Sequence, residues 1–325
     1  MHRSDPNDVP LMTVHALKKH FPVGRQLFSK EPKAWLRAVD GVDLQIHRGR
    51  TLGLVGESGC GKSTLGRLLI RLLEPTSGAI KLDGEEISNV SARKLMGLRK
   101  RFQMVFQDPM GSLDPRMKIG ESVAEPMYLN GIGNRREKVA EMLEAVSLSP
   151  EIANRFPHEF SGGQRQRICI ARALTLEPDL IVADEPVAAL DVSVQAQIVN
   201  LFQDIQQKMG LGYVFISHDL GVVRHIADDV AVMYLGKIVE QGSVKEVLDA
   251  PAHPYTRALV SAILPPRPTG VRFRPPVSGD LPSPINIPKG CRFASRCPMA
   301  KDLCREEEPV LRRVANGQHA ACHFT

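Results

Sequence analysis

The stretch Thr51-Leu52-Gly53-Leu54-Val55, followed by Gly56-Glu57-Ser58-Gly59-Cys60-Gly61-Lys62-Ser63-Thr64, decides the fold. The first part is a short apolar run and reads as a buried strand. The second fits G-x-x-x-x-G-K-[ST], a loop that cradles phosphate. Its glycines let backbone N–H groups turn inward on phosphate oxygens, where a Cβ would obstruct them. Lys62 supplies a point charge for the β- and γ-phosphates and Ser63 a hydroxyl for Mg²⁺. The helix expected from about Lys62, with Leu65, Leu68, Leu69 and Leu72 on one face, adds its positive N-terminal end. The segment therefore predicts a nucleotide-binding α/β protein without naming the reaction.

Outward from the loop, apolar runs alternate with helical patterns, as in a largely parallel sheet flanked by helices. Leu180–Ala183, Tyr213–Ile216 and Val230–Leu235 read as buried strands, and Gly236-Lys237 as a turn. A long helix is predicted from a Ser193 cap to Gly210, with Val194, Ile198, Leu201, Phe202, Ile205 and Met209 on its apolar face. Between Asp108 and Leu176 the pattern is helical without a clear strand, which predicts a helical subdomain inserted in the α/β core. Eight prolines from Pro265 to Pro288 exclude regular structure and mark an extended linker. A cysteine-bearing tail follows.

The 325 residues leave room for one substantial core and an appendage. Hydrophobic content of 43% and charged content of 24% are those of an ordinary folded protein. No window reaches the roughly 18 apolar residues of a membrane span, and the N-terminus lacks the apolar core of a secretory signal. The expected place is the cytosol, with peripheral membrane binding open. The net charge of +6 is compatible with nucleic acid, anionic lipid or a polyphosphate ligand, and does not choose among them. Of the six cysteines, Cys60 and Cys169 are isolated, whereas Cys291, Cys297, Cys304 and Cys322 cluster. In a cytosolic chain such clustering favours a metal or iron–sulfur site over disulfides.

Asp184 and Glu185 end an apolar strand, where α/β sheets bind ligands. Asp184 suits Mg²⁺, and Glu185 is placed to orient and deprotonate an attacking water. Ser161-Gly162-Gly163-Gln164 precedes a predicted helix, Arg165–Leu176, and offers a second anion-binding terminus. With the phosphate loop, SGGQ and the Asp184-Glu185 strand in that order along the chain, the sequence resembles an ABC-type nucleotide-binding domain from about Leu11 to Ala250.

The resemblance implies several assignments. Ser161, Gly162, Gly163 and Gln164 are the signature, which contacts the ATP of a partner subunit. Gln107 is the Q-loop glutamine that touches Mg²⁺ and senses the permease, and His218 is the switch histidine at the γ-phosphate. ATP is held by Gly56, Ser58, Gly59, Cys60, Gly61, Lys62, Ser63 and Thr64, with Ser63, Gln107 and Asp184 at Mg²⁺ and Glu185 and His218 catalytic. Phe21 is where the family stacks an aromatic ring on adenine; Trp35 is the rival, because residues 22–37 look like an insertion that could fold back. The D-loop reads Ala188-Ala189-Leu190-Asp191 where close relatives carry Ser-Ala-Leu-Asp, so one cross-dimer hydroxyl contact is in doubt.

One phosphate loop and one signature per chain imply a second ABC ATPase in trans, expected to be a different chain, with a homodimer open. The division expected is a nucleotide-binding domain at 1–250, with a helical subdomain at about 108–177, and an extension at 251–325. Beyond the core, Pro251-Ala252-His253-Pro254-Tyr255-Thr256 resembles ATP-binding subunits of dipeptide and oligopeptide importers, a branch that includes nickel and glutathione systems. Gly111–Arg116 and Leu281–Pro284 carry the same resemblance. It implies two membrane permease subunits, an extracytoplasmic peptide-binding protein, and a peripheral position on the cytoplasmic face of the inner membrane.

By spacing alone, Cys291, Cys297, Cys304 and Cys322 suit zinc or a [4Fe–4S] cluster. The resemblance implies the cluster. A soluble ABC protein acting on nucleic acid would carry two ATPase domains or a long coiled-coil insertion, and neither reads here, so no nucleic acid partner is expected. A P-loop kinase or GTPase has no use for SGGQ.

Overall fold

The computed structural model describes residues 9–25, 32–262, 282–315 and 317–325. The strands are β1 (Met12–Arg25), β2 (Pro32–Ile46), β3 (Thr51–Val55), β4 (Ser77–Leu82), β5 (Glu85–Glu86) and β6 (Phe102–Val105). They continue with β7 (Leu180–Asp184), β8 (Gly212–Ser217), β9 (Asp229–Tyr234), β10 (Lys237–Ser243), β11 (Arg312–Arg313) and β12 (His319–Ala320). The chain forms two compact units: Met1–Leu11 with Ile46–Thr51 and Asn89–Ser217, and Met12–Gln45 with Leu52–Ser88 and His218–Thr325.

In the first unit β6, β7 and β8 run parallel, with Phe102 opposite Leu180 and Leu180 opposite Gly212. Every residue of β7 and β8 is buried, as expected of parallel strands covered on both faces. Residues 108–177 hold helices and turns and, among the described residues, no strand. Helices Ile119–Leu129, Arg135–Ala145 and Gly162–Leu174 pack on one another, and Val123, Met127, Met142, Leu143, Ile168 and Ile170 among their residues are buried. Asp179, before β7, takes Arg48 and Arg101, each at 2.6 Å.

Helix Val192–Met209 ends on Gly210 at φ 67, the left-handed terminus expected of a glycine. Its N-cap is Asp191 rather than Ser193. Asp191 is the last extended residue (φ −63, ψ 149), so Ser193 already lies in the first turn.

In the second unit β9 lies parallel to β3, Leu52 opposite Asp229, and β10 pairs antiparallel with β9. A separate four-stranded sheet has the order β2-β1-β4-β5. Much of the expected insertion at 22–37 is strand: β1 runs through Arg25 and β2 starts at Pro32, with 26–31 outside the described residues. Most of the proline-dense linker, 263–281, is outside them too.

The C-terminal residues belong to this second unit. β12 pairs antiparallel with β10, Glu240 opposite Ala320, and β11 pairs with β12. Glu240 is fully buried, and its carboxylate accepts the N–H groups of Ala252 (2.6 Å) and His253 (2.9 Å) and the amide of Gln318 (2.8 Å). A buried carboxylate needs such donors, and here both ends of the extension supply them. Burial still pushes the Glu240 carboxyl above its ordinary value, with the donors working the other way.

Candidate nucleotide site

The phosphate loop follows β3 and leads into helix Lys62–Leu69. Gly56, Gly59 and Gly61 have φ of 152, 79 and 112, a region L side chains rarely enter. A Cβ on Gly56 would stand 2.2 Å from the Met233 carbonyl oxygen, and one on Gly61 2.1 Å from that of Ala38. The glycines are thus required twice, by conformation and by space. No side chain caps this helix, so its first N–H groups keep the polarity that suits phosphate. Lys62 is buried and its ammonium donates to the carbonyls of Gly56 (2.8 Å) and Glu57 (3.0 Å). Cys60 is buried too, and burial raises its thiol.

Phe21 lies in β1, partly exposed, with the Lys19 ammonium 5.1 Å from its ring centroid. A ring left partly open can still stack on a base, as a core ring could not. Trp35, in β2, is 47% exposed. His218 is exposed and directly precedes Asp219, whose carboxylate caps helix Leu220–Ile226 through Gly221 (2.7 Å) and Val222 (3.2 Å).

The first unit carries the carboxylates. Asp184 closes β7 and is buried. Glu185 follows at φ 47, uncommon for a non-glycine residue, and its N–H donates to the Ile216 carbonyl at 3.0 Å. Such strained backbone gathers at functional positions. The Gln107 amide donates to the Glu185 carboxylate at 3.3 Å, which brings these two predicted residues together.

Ser161 and Gln164 cap one another: the Gln164 N–H reaches Ser161 Oγ at 3.4 Å, and the Ser161 N–H reaches Gln164 Oε1 at 3.0 Å. The helix begins at Gly162, not at Arg165, because this reciprocal cap makes Ser161 the last extended residue. Gly162 and Gly163 therefore form its first turn.

Cys291, Cys297, Cys304 and Cys322 line one cavity of about 100 Å³ in the second unit. Burial pushes the Cys291 thiol up to about 11, and the neighbouring cysteines push the same way. Among the described residues, no three His, Cys, Asp or Glu side chains are grouped as a single metal ion requires. Sequence reasoning missed Tyr255 and Arg296, which both bind Glu57 of the loop from far along the chain.

Residues 39–188 match the family described as "ABC transporter", and residues 239–304 match "Oligopeptide/dipeptide transporter, C-terminal region". The oligopeptide transport ATP-binding protein AppF of Bacillus subtilis is 51% identical over 324 residues, covering 98% of each chain. The chain belongs to the ABC transporter ATP-binding proteins of the oligopeptide/dipeptide type. It is also 52% identical to the dipeptide transport ATP-binding protein DppF of Haemophilus influenzae, over 97% of both chains. Among solved structures it is similar to the ATP-binding cassette MJ0796 in a dimeric post-hydrolysis state bound to ADP and Pi. That likeness has a TM-score of 0.63 and 28% identity, over 72% of this chain and 98% of that one. The protein is thus an ABC-type ATPase coupled to transport, one subunit of a transporter complex, and the family binds ATP with Mg²⁺. Among the described residues no helix is long and apolar enough to cross a membrane.

Proposed function

We propose that this subunit hydrolyses MgATP to drive import of dipeptides and oligopeptides. The observation that carries the reading is the near-full-length identity to peptide-transport ATP-binding proteins, extension included. The glycine cradle, which a Cβ would fill, supports phosphate binding at Gly56, Ser58, Gly59, Cys60, Gly61, Lys62, Ser63 and Thr64. Phe21 stacks on adenine. Ser63, Gln107 and Asp184 hold Mg²⁺, which would neutralise charge on the phosphates. Glu185 accepts the proton of the attacking water and His218 contacts the γ-phosphate; the Gln107–Glu185 hydrogen bond and the strained Glu185 backbone support these roles.

Ser161, Gly162, Gly163 and Gln164 address the ATP of a second ABC ATPase, a different chain. Two membrane permease subunits and an extracytoplasmic peptide-binding protein complete the importer, with this subunit on the cytoplasmic face of the membrane. We divide the chain functionally into a nucleotide-binding domain at 1–250, its helical subdomain at about 108–177, and an extension at 251–325.

In the extension, Cys291, Cys297, Cys304 and Cys322 hold a [4Fe–4S] cluster of structural or regulatory use. Their shared cavity supports one common group, and a cluster takes each sulfur on its own iron rather than drawing all four to one ion. Iron and sulfide analysis after anaerobic purification checks this, and a preparation with neither iron nor zinc removes it.

Uptake of a labelled dipeptide by source cells carrying either the native chain or Glu185→Gln tests the main reading. Abolished uptake supports it. Unimpaired uptake, with the variant expressed and no redundant system, moves the cargo to nickel, glutathione or another solute.

A further inference from the structure

Within the second unit, the segment Cys291-Arg292-Phe293-Ala294-Ser295-Arg296-Cys297 reaches the phosphate loop. Phe293 is 1% exposed and packs on Tyr234 and Tyr255 with ring centroids 5.4 and 5.5 Å away, while the two tyrosines are 4.7 Å apart. Arg292 is anchored to Asp40 and to the Leu235 carbonyl, with Glu308 at 3.1 Å. On this base Arg296 sets both Nη atoms on the Glu57 carboxylate, at 2.8 and 3.0 Å, and lies over the Tyr234 ring. The Tyr255 hydroxyl oxygen accepts the Glu57 N–H at 2.8 Å. The carbonyl of the same residue accepts from Lys62 (3.0 Å) and from the Cys60 N–H (3.3 Å). Every polar group of Glu57 is thereby committed, two of them to the extension and one to the loop itself.

The pairing is a charge-assisted fork with side chains 9% and 27% exposed, the geometry in which Arg and carboxylate interact most strongly. If it served only to fasten the extension, any surface residue would do as its anchor. Instead it falls on the residue next to Gly56, whose carbonyl steadies Lys62. A loop fixed before nucleotide arrives loses less conformational freedom on binding, so removing the fixture weakens affinity rather than chemistry.

We propose that Arg296 and Tyr255 are positioning residues of the phosphate loop, through which the cysteine-flanked segment of the extension sets affinity for MgATP. This rests on reading residues 56–64 as the nucleotide site. Full-length variants in the assembled transporter, assayed for KM, kcat and thermal midpoint, test it. Arg296→Met raises KM for ATP about 5- to 20-fold with kcat within about twofold, as loss of preorganisation requires. Tyr255→Phe, which removes one oxygen and leaves the packing, raises KM about 2- to 5-fold. Arg296→Lys, which keeps the charge but not the fork, lies between native and Arg296→Met. Glu57→Gln combined with Arg296→Met is no worse than either alone, because both remove one interaction.

If Tyr255→Phe and Arg296→Met lower the thermal midpoint while KM stays native, the contact is only structural and the proposal falls. If Arg296→Met does not fold, Tyr255→Phe decides. Lys62→Ala separates the two readings. ATP binding retained in Lys62→Ala overturns the site itself, whereas binding lost there but native in Tyr255→Phe and Arg296→Met overturns this inference alone.

Discussion

The chain uses glycine in two functional segments for different physical reasons. In the phosphate loop, Gly56, Gly59 and Gly61 sit at positive φ, and the loop could not close with ordinary residues there. In the signature, Gly162 and Gly163 belong to a regular helix and need no special backbone. Gly163 is small because the neighbouring helix comes close: a Cβ there would stand 2.5 Å from Val194 Cγ1, whereas one on Gly162 would meet Leu190 only at 3.4 Å. In the first segment glycine answers to backbone conformation, and in the second, at Gly163, to the approach of two helices. Neither segment carries the carboxylates Asp184 and Glu185, which stand at the end of β7.

That contrast can be broken at several points. Glu185→Gln should bind ATP yet lose about 10²- to 10⁴-fold in hydrolysis, the contribution of a general base; single-turnover assays beside binding measurements check it. Gly61→Ala should weaken ATP binding by about 100-fold, because the Ala38 carbonyl would have to move by the order of an ångström. Gly163→Ala should destabilise the chain by about 1–3 kcal/mol in urea unfolding, and the added Val194→Ala should recover most of that. Ser161→Ala, which removes one half of the reciprocal cap, should lower stability by about 1 kcal/mol. Gly162→Ala should be the mildest, within about 0.5 kcal/mol, and a larger loss would mean the two signature glycines share one role.

Much of this architecture is legible in local sequence. β3 occupies the predicted residues, β7 and β8 fall within one or two of theirs, and the strand-free region from Asp108 to Leu176 is helical. These succeed because strand apolarity and turn glycines act over a few residues. Two misses lie at helix starts, where Asp191 and Ser161 are the last extended residues, and others are strands such as β1 and β2 that lack a clear apolar run. Where a helix starts is decided by the dihedral choice of one residue, and several adjacent polar residues could take that place.

By itself the sequence determined which segments to look at: the glycine-rich run 56–64, Asp184 and Glu185 at a strand end, Ser161-Gly162-Gly163-Gln164 before a helix, and a cluster of cysteines. The glycine-rich motifs are legible because each is a short contiguous run, and the carboxylates and cysteines because their residue types are distinctive. Only the tertiary structure decided what holds the loop. Glu57 is bound by Tyr255 and Arg296, 198 and 239 residues away. A contact over that separation leaves no period and no local composition to read.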